Sequence, residues 1–347
     1  MPARIPTLAA LALIMVGLMV PAPAAAQPPL PAAVQPPAPA LPECSASGLI
    51  PDASVLPADE MPVKYTLAYS MTGRARPLLF WISKDGVGSG KIVWRADGKG
   101  SNALELFVGT DPATVPRKID RWGYIVERGH PDTDTRVTGL ITAAQESSIA
   151  DVQKAQDANQ SRIAFKSIET AVAKTAACVA TSHFETFYDP LNRQIPAVVK
   201  QARANLVKSA PKGAWLPPDV RAGFFTAMWE MLQATVAARQ KGPTGLARVK
   251  GTKVSYVYGS GILDLTLVDV HFEPSPIVAI PSAQNPVHAE FQLLSRTTGE
   301  KYKFELQFGT VGHMAGVPVL IRYSPRWWLQ VDLKLATIDP PATPDAK

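Results

Sequence analysis

Apolar and polar residues alternate along two stretches of the chain, residues 60–130 and 252–336, and this period of two predicts β-strands. The alternation is clearest at Phe304, Leu306 and Phe308, which would line the buried face of a strand whose other face is polar. Turn sequences that contain glycine or proline separate the segments. We therefore predict about eleven strands in two β-meanders: Val63–Met71, Leu78–Ser83, Gly90–Arg95, Ala103–Gly109, Trp122–Glu127, Lys253–Tyr258, Leu263–Phe272, Val287–Ser295, Tyr302–Phe308, Val317–Tyr323 and Trp327–Leu335.

Between the two meanders, residues 138–242 follow a different period and predict a helical insertion. Apolar residues recur there three to five positions apart, as on one face of a helix, beginning with Leu140, Ala144 and Ile149 and continuing to Val152 and Ala155. Farther along, the pattern leaves two alternatives open, a continued helix or a strand near residues 175–187. We count about three helical segments in this insertion.

The clearest helix of the insertion is predicted to begin at Pro217-Pro218-Asp219, since proline is tolerated in a first turn, and to end at Gly242-Pro243. Its apolar stripe includes Phe224, Met228 and Leu232. A stripe that contains methionine packs adaptably, which suits a lipophilic ligand, so these three are candidate ligand-binding residues. Plain core packing is the alternative for the same stripe.

The predicted fold is mainly β with an α insertion (α+β), organised as one β-rich domain over residues 60–336. A sheet of about eleven strands rarely stays flat, so we expect it to curl into a half-barrel. The helices would then cover its concave face and leave a groove for a hydrophobic ligand. Two meanders packed together through the helices are the alternative architecture.

The N-terminus has the layout of a cleaved secretory signal peptide over residues 1–26. One early arginine precedes the apolar run Leu8–Val20, and small residues follow. That run is about 13 residues, whereas a membrane-spanning helix needs about 20, so we expect cleavage without a transmembrane segment. Residues 27–59 read as a Pro/Ala-rich tether and residues 337–347 as a disordered tail. We expect a periplasmic or secreted protein.

The charge of the chain excludes few partners but argues against nucleic acid. Without residues 1–26 the chain has 34 basic and 29 acidic side chains, a mild excess over such a length. No block of lysine and arginine is interleaved with aromatic residues, as a nucleic-acid surface would require. An anionic lipid or glycan is the better counterpart outside the cell.

The only two cysteines are Cys44 and Cys178. In an oxidising compartment an even number suggests a disulfide, and we predict that these two form one. Two unpaired thiols are the alternative.

The two β-rich stretches also share short sequence segments in the same order. Lys64–Tyr69 is similar to Lys253–Tyr258, and Leu104–Thr110 is similar to Phe304–Thr310. An internal duplication is therefore possible, and it would relate the two meanders by a pseudo-twofold axis. Chance is the alternative, because β-meanders draw on the same residue types.

The end of the chain carries a resemblance to a known type of protein. Gly316–Tyr323 together with Trp327–Leu333 is similar to the closing hairpin of uncharacterised secreted bacterial β-proteins of the periplasmic lipoprotein-carrier half-barrel type. The similar stretch is under a tenth of the chain and contains no residue-specific functional motif. The resemblance implies an apolar cavity for acyl chains, with no cofactor and no catalytic chemistry, and it transfers no binding residue.

Enzyme motifs are missing from the sequence. The glycine-rich segment Asp85–Lys91 lacks both the first glycine and the final serine or threonine of a phosphate-binding loop, so we predict a hairpin turn there. Neither a nucleophile elbow nor a C-x-x-C pair occurs. We expect no catalytic residue and no cofactor.

One constellation could bind a metal ion. Residues two apart on a strand share a face, so the pair His271 and Glu273 could converge with the pair His288 and Glu290 if their strands are neighbours. Imidazole and carboxylate together suit zinc or iron. The alternative is a solvated polar face, because Val287 and its alternate neighbours form the apolar side of the second strand.

Trp327 and Trp328 form the densest aromatic spot and are two further candidate ligand-binding residues. Successive strand residues face opposite ways, so one should be core and the other exposed or groove-lining.

These observations favour a non-enzymatic protein of the cell envelope that binds a lipid or an acylated partner in its groove. The alternative is a periplasmic scaffold or assembly factor that binds protein partners. A metal-dependent hydrolase that uses the His/Glu strands is a remote third possibility.

Overall fold

The computed structural model describes residues 61–76, 80–97, 102–111, 113–115, 121–130, 135–145, 161–173, 176–188, 212–258, 261–273, 286–326 and 329–339. The first seven strands are β1 (Val63–Ala75), β2 (Ile82–Ala96), β3 (Asn102–Thr110), β4 (Arg121–His130), β5 (Thr135–Gln145), β6 (Ser161–Ala173) and β7 (Ala176–Tyr188). Two short strands, β8 (Lys212–Trp215) and β9 (Val220–Arg221), precede helices α1 (Phe224–Arg239) and α2 (Gly242–Val249). The remaining strands are β10 (Lys253–Tyr258), β11 (Gly261–Phe272), β12 (Val287–Ser295), β13 (Lys301–Phe308), β14 (Pro318–Arg326) and β15 (Leu329–Asp339).

All fifteen strands belong to one sheet, in the order β8-β7-β6-β5-β4-β3-β2-β1-β15-β14-β13-β12-β11-β10-β9. Neighbouring strands are antiparallel except β9 and β10, which are parallel. The predicted mainly-β fold with one curled, unclosed sheet is therefore confirmed. The predicted strands fall on ten of the fifteen, because two of them belong to the single long strand β2, and the other five strands lie in the predicted helical insertion.

The two edges of the sheet are consecutive in the chain. β8 pairs with β7 at one edge, β9 pairs with β10 at the other, and only residues 216–219 separate them. Leu216 is buried in a small cluster with Val172 of β6 and Val257 of β10. This contact requires the sheet to curl until its edges face each other across that short segment.

The prediction of a helical insertion over 138–242 is wrong for the part that forms β5, β6 and β7. β5 is rich in β-branched residues (five of its eleven are Thr, Val or Ile), and such side chains favour strands. The open alternative near 175–187 is resolved as a strand, β7. Ile149, Val152 and Ala155 lie outside the described residues.

The structure has two α-helices in its described part: α1 lies at the end of the predicted insertion, and α2 begins at its last residue and continues beyond it. The prediction that α1 begins at Pro217 is wrong: residues 217–220 form a turn in which Val220 N donates to Pro217 O at 3.1 Å, and β9 follows. Pairing of β9 with β10 keeps the chain extended up to Gly223, whose φ is −165°. Gly242 has a φ of +71°, and there α1 gives way to α2.

The main core lies between α1 and the apolar faces of β1–β4 and β10–β15. Phe224 at the start of α1 contacts Tyr256 of β10 edge-on, with ring centroids 5.5 Å apart. Phe291 and Phe304, opposite each other on β12 and β13, stack at 5.0 Å. None of the described helices combines the length and apolar character needed to cross a membrane.

The segment Asp85–Lys91 is part of β2 and not the predicted hairpin turn. The register jumps there: Met71 lies opposite Gly88, whereas Thr72 lies opposite Asp85. Gly86 and Val87 are the extra residues of this β-bulge, and Gly86 supplies the positive φ of +69° that it needs. The glycines therefore bend a strand, a role that sequence alone does not distinguish from a turn.

Of the two alternatives for the similar segments, duplication and chance, the strand order does not support the pseudo-twofold axis that a duplication would create. Leu104–Thr110 lies in β3 and Lys64–Tyr69 in β1, two strands apart, so these two run in the same direction. Phe304–Thr310 and Lys253–Tyr258 lie mainly in β13 and β10, three strands apart, so they run in opposite directions. No rotation superimposes one arrangement on the other.

The ends of the chain differ in part from the prediction. Thr337, Ile338 and Asp339 were predicted to belong to a disordered tail, but they extend β15 and pair with Thr66–Ala68 of β1. The predicted signal peptide and tether lie outside the described residues, so they stay predictions.

Candidate functional site

A pocket of about 480 Å³ lies between the second half of α1 and the turn that joins β13 to β14. Helix α1 contributes Trp229, Val236, Ala237 and Arg239 to its wall, and the turn contributes Val311 and His313. The wall therefore combines apolar side chains with a permanently charged guanidinium. This composition suits a ligand that has an apolar body and a polar end.

The turn that forms one side of the pocket is anchored in the core. Met314 in its middle is fully buried, and Val317 N donates to Met314 O at 2.9 Å. Gly316 N donates to Gly309 O at 2.6 Å and closes the turn. A side chain at position 309 would place its Cβ 2.5 Å from Met314 O, so this close approach requires glycine. This side of the pocket is consequently preformed.

Arg239 lies in the last turn of α1, where a cation interacts favourably with the helix dipole. Its guanidinium carbon lies 5.1 Å from the centroid of the Phe272 ring. Its Nε atom is buried and has no hydrogen-bond partner among the described residues. Arg239 also belongs to the wall of the pocket, and a guanidinium is a strong hydrogen-bond donor to carboxylate or phosphate groups.

The structure places the predicted ligand-binding stripe in the core. Phe224, Met228 and Leu232 are 3%, 2% and 0% exposed and belong to the main core, and none of them lines the pocket. Trp327 and Trp328 lie outside the described residues. A ligand-binding role for these five therefore stays a prediction.

The pocket residues of α1 escaped the sequence analysis although they follow a helical spacing. Trp229, Gln233, Val236 and Gln240 form a second stripe with steps of three and four residues beside the core stripe. Two of these four residues are polar, so the stripe does not stand out as an apolar helix face. No feature of the sequence near α1 indicates that the turn at Val311 packs beside it.

The strands predicted to carry the metal constellation are indeed neighbours. His271 on β11 lies directly opposite His288 on β12, and their rings stack with centroids 4.9 Å apart and planes inclined by 22°. One ligand atom from each of His271, Glu273 and His288 lies within 4.8 Å of the others. Glu290 shares the outer face of β12 but is not in this group, because it lies opposite Asp269 and Glu305.

Polar side chains on the surrounding strands form hydrogen bonds with His271 and Glu273 and lie near His288. His271 Nδ1 lies 3.0 Å from Asp269 Oδ2, and Gln307 Nε2 donates to Glu273 Oε2 at 3.1 Å. His288 Nε2 lies 3.7 Å from Glu305 Oε2. Hydrogen bonds from Lys250 and His271 lower the pKa of Asp269, because they stabilise its ionised carboxylate.

Cys178 on β7 is fully buried. Cys44 lies outside the described residues, so the disulfide between them stays a prediction.

Comparison with known proteins adds little. No protein-family model matches the chain, and no curated protein does. Among solved structures, the chain is similar to a beta-barrel-like protein of the domain of unknown function DUF1849 from Brucella abortus. The two share 8% sequence identity with a TM-score of 0.43, over 81% of this chain and 98% of that one.

Proposed function

We propose that this protein is a non-enzymatic binding protein of the cell envelope that holds an anionic amphiphile, an acyl chain with an acidic end group, in the pocket beside α1. The observation that carries the proposal is the position of Arg239, which brings a guanidinium to the wall of a partly apolar pocket.

The size of the pocket fits a ligand of this kind. Its volume of about 480 Å³ lies within the range of roughly 300–1,000 Å³ that is usual for small-molecule sites. Trp229, Val236 and Val311 offer apolar contact to a hydrocarbon chain. Burial of such a chain contributes about 0.8 kcal/mol for each CH₂ group, so even a partly buried chain binds.

The positive charge of Arg239 favours a ligand with an acidic end group. A guanidinium forms charge-assisted, often bidentate hydrogen bonds with carboxylate or phosphate. The predicted signal peptide supports a periplasmic or secreted location, where lipids and acylated proteins are available.

The test is calorimetric titration of the purified, delipidated protein with palmitate. We expect one palmitate per chain, and about 10-fold or greater weakening by Arg239→Gln, which keeps a polar side chain but removes its charge. Arg248→Gln is the matched control, because Arg248 is exposed in the last turn of α2 and does not line the pocket. Hexadecanol, which has the same chain and no charge, should bind wild type and Arg239→Gln alike.

Two results would refute the proposal. One is the absence of palmitate binding up to its solubility limit. The other is equal palmitate affinity of wild type and the Arg239→Gln variant.

A second candidate function, binding of a protein partner, rests on a different surface. Phe80, Trp81 and Ile82 at the start of β2 are 61%, 44% and 52% exposed, and three consecutive exposed apolar side chains are unusual away from an interface. A photo-crosslinking amino acid at position 81 should capture a discrete protein in cells. The same probe at Val268, which is 41% exposed on β11, should not.

A further inference from the structure

We propose that His271, His288 and Glu273 form a binding site for a divalent transition-metal ion of the zinc type on the outer face of β11 and β12. This site is separate from the pocket beside α1, and the inference does not depend on the function proposed for that pocket.

The strand register supplies the required convergence. His271 and Glu273 are two residues apart and lie on one face at the end of β11, and Glu273 N still donates to Pro286 O at 3.1 Å, as in a regular ladder. His288 lies directly opposite His271 on the neighbouring strand. Directly opposed side chains in an antiparallel pair have Cβ atoms about 4.5–5.5 Å apart, close enough to share one ion.

A neighbouring carboxylate leaves one nitrogen of the His271 imidazole for the metal. Asp269 takes Nδ1 of His271 at 3.0 Å, which leaves Nε2 as the ligand atom. His288 lies with Nε2 3.7 Å from Glu305 Oε2 and with Nδ1 on the side of Glu273, 3.9 Å from its Oε2. A carboxylate hydrogen-bonded to the far nitrogen, as Asp269 is to His271, is a recurrent arrangement in protein metal sites.

Unlike His271, His288 has no carboxylate within hydrogen-bond distance of its ring. Its side chain is only 12% exposed, and it makes no hydrogen bond within the described residues, since both carboxylates lie beyond hydrogen-bond distance. Its ring instead stacks against that of His271. A bound cation would use the lone pairs of both rings and the charge of Glu273.

The three ligand atoms lie within 4.8 Å of one another, somewhat farther apart than in a loaded site. Around a tetrahedral zinc ion with bonds of about 2.0–2.2 Å, ligand atoms are separated by roughly 3.3 Å. Rotation of the outer torsions of Glu273 and of the half-exposed His271 can supply the difference. Two histidines and one carboxylate leave a fourth position for water or a further ligand, which matches the coordination that zinc prefers.

The test uses the untagged protein after dialysis against EDTA. We expect calorimetric titration with ZnCl₂ to give one equivalent of binding, and titration with Co²⁺ to give visible absorption bands typical of four-coordinate nitrogen and oxygen ligation. The variant His271→Ala should weaken Zn²⁺ binding at least 10-fold. Because His271 is 53% exposed, this truncation should leave the fold intact, which far-ultraviolet circular dichroism will verify.

Two matched controls separate this site from unspecific binding. Glu290→Gln alters the same face of β12 two residues from His288, and His313→Ala removes an exposed histidine of the pocket turn; both should bind Zn²⁺ like wild type. Asp269→Asn, which removes the carboxylate behind His271, should weaken binding 10- to 100-fold. Added Zn²⁺ should raise the melting temperature of wild type but not of His271→Ala.

Two outcomes would overturn the inference. The first is the absence of one-equivalent binding by the wild-type protein. The second is equal Zn²⁺ affinity of His271→Ala and Glu290→Gln.

Discussion

The side chain of Glu127, on β4, caps the first turn of α1: its Oε2 accepts a hydrogen bond from Phe225 N at 2.8 Å. Oε1 of the same carboxylate accepts from Thr226 N at 3.2 Å and also from the Thr226 hydroxyl. The flank of this turn packs on β10 through Phe224 and Tyr256. The carboxylate of Glu127 therefore links α1 to β4, on the side of the core opposite β10.

Glu127→Ala should lower the free energy of unfolding by about 2–3 kcal/mol. The substitution leaves buried donors at a helix N-terminus without an acceptor and removes a favourable charge from the positive end of the helix dipole. Urea denaturation followed by circular dichroism measures the loss. Glu127→Gln keeps one acceptor oxygen and should lose less, so equal losses for the two variants would contradict the capping role.

Gly88→Ala should destabilise the β1–β2–β3 region by about 1–3 kcal/mol, the usual cost of forcing an extra carbon into a packed site. A Cβ at this position would lie 2.2 Å from the carbonyl oxygen of Gly109 and 2.9 Å from Thr110 Cα, and both are backbone atoms. Gly73→Ala is the control, since its Cβ would first meet Val87 at 3.4 Å. Thermal unfolding should show a lower melting temperature for Gly88→Ala alone.

Asp264 should make stability depend on pH in the acidic range. Burial alone would raise the pKa of Asp264, but hydrogen bonds from Arg296, Ser255 and Lys253 and the charge of Arg296 together outweigh burial, and the pKa lies below its ordinary value. The contacts are Arg296 Nε to Oδ1 at 3.0 Å and Ser255 Oγ to Oδ1 at 2.7 Å. A lowered pKa means that folding favours the ionised form, so this stabilisation is complete above about pH 4 and decreases as pH falls toward the folded-state pKa.

The measurement is the unfolding free energy of wild type and Asp264→Asn from pH 7 down to pH 3. Wild type should be more stable by about 1.5–3 kcal/mol at pH 7, and the difference should shrink below pH 4. Asp339→Asn, at an exposed position, should show no such difference. A gap between wild type and Asp264→Asn that is independent of pH would contradict the role of the ionised carboxylate.

The predicted disulfide between Cys44 and Cys178 would close a loop of more than 130 residues. In the chain-entropy model such a bridge stabilises by up to about 4–5 kcal/mol, so the reduced protein should unfold at markedly lower denaturant concentration. Ellman titration of the unfolded protein should detect no thiol before reduction and two after it. Two thiols without reductant would show that the bridge is absent.

The metal constellation could be predicted in part, because alternation places His271 with Glu273 and His288 with Glu290. Pairing of the two strands with His271 opposite His288 depends on the register, which the sequence leaves open. The register brings Glu273 into the group and leaves Glu290 outside it. The pocket could not be predicted at all, because its walls come from segments about 70 residues apart.

The sequence by itself determined the strands of 60–130 and 252–336 and the core stripe of α1. The strands and the stripe can be predicted because each has one buried face, and a single buried face produces a regular spacing of apolar residues in the local sequence. Tertiary structure decided that β5, β6 and β7 form, that Glu127 caps α1, and that β8 and β9 lie at opposite edges of one sheet. These outcomes depend on hydrogen bonds and packing between residues distant in sequence, and no local pattern specifies which partners meet.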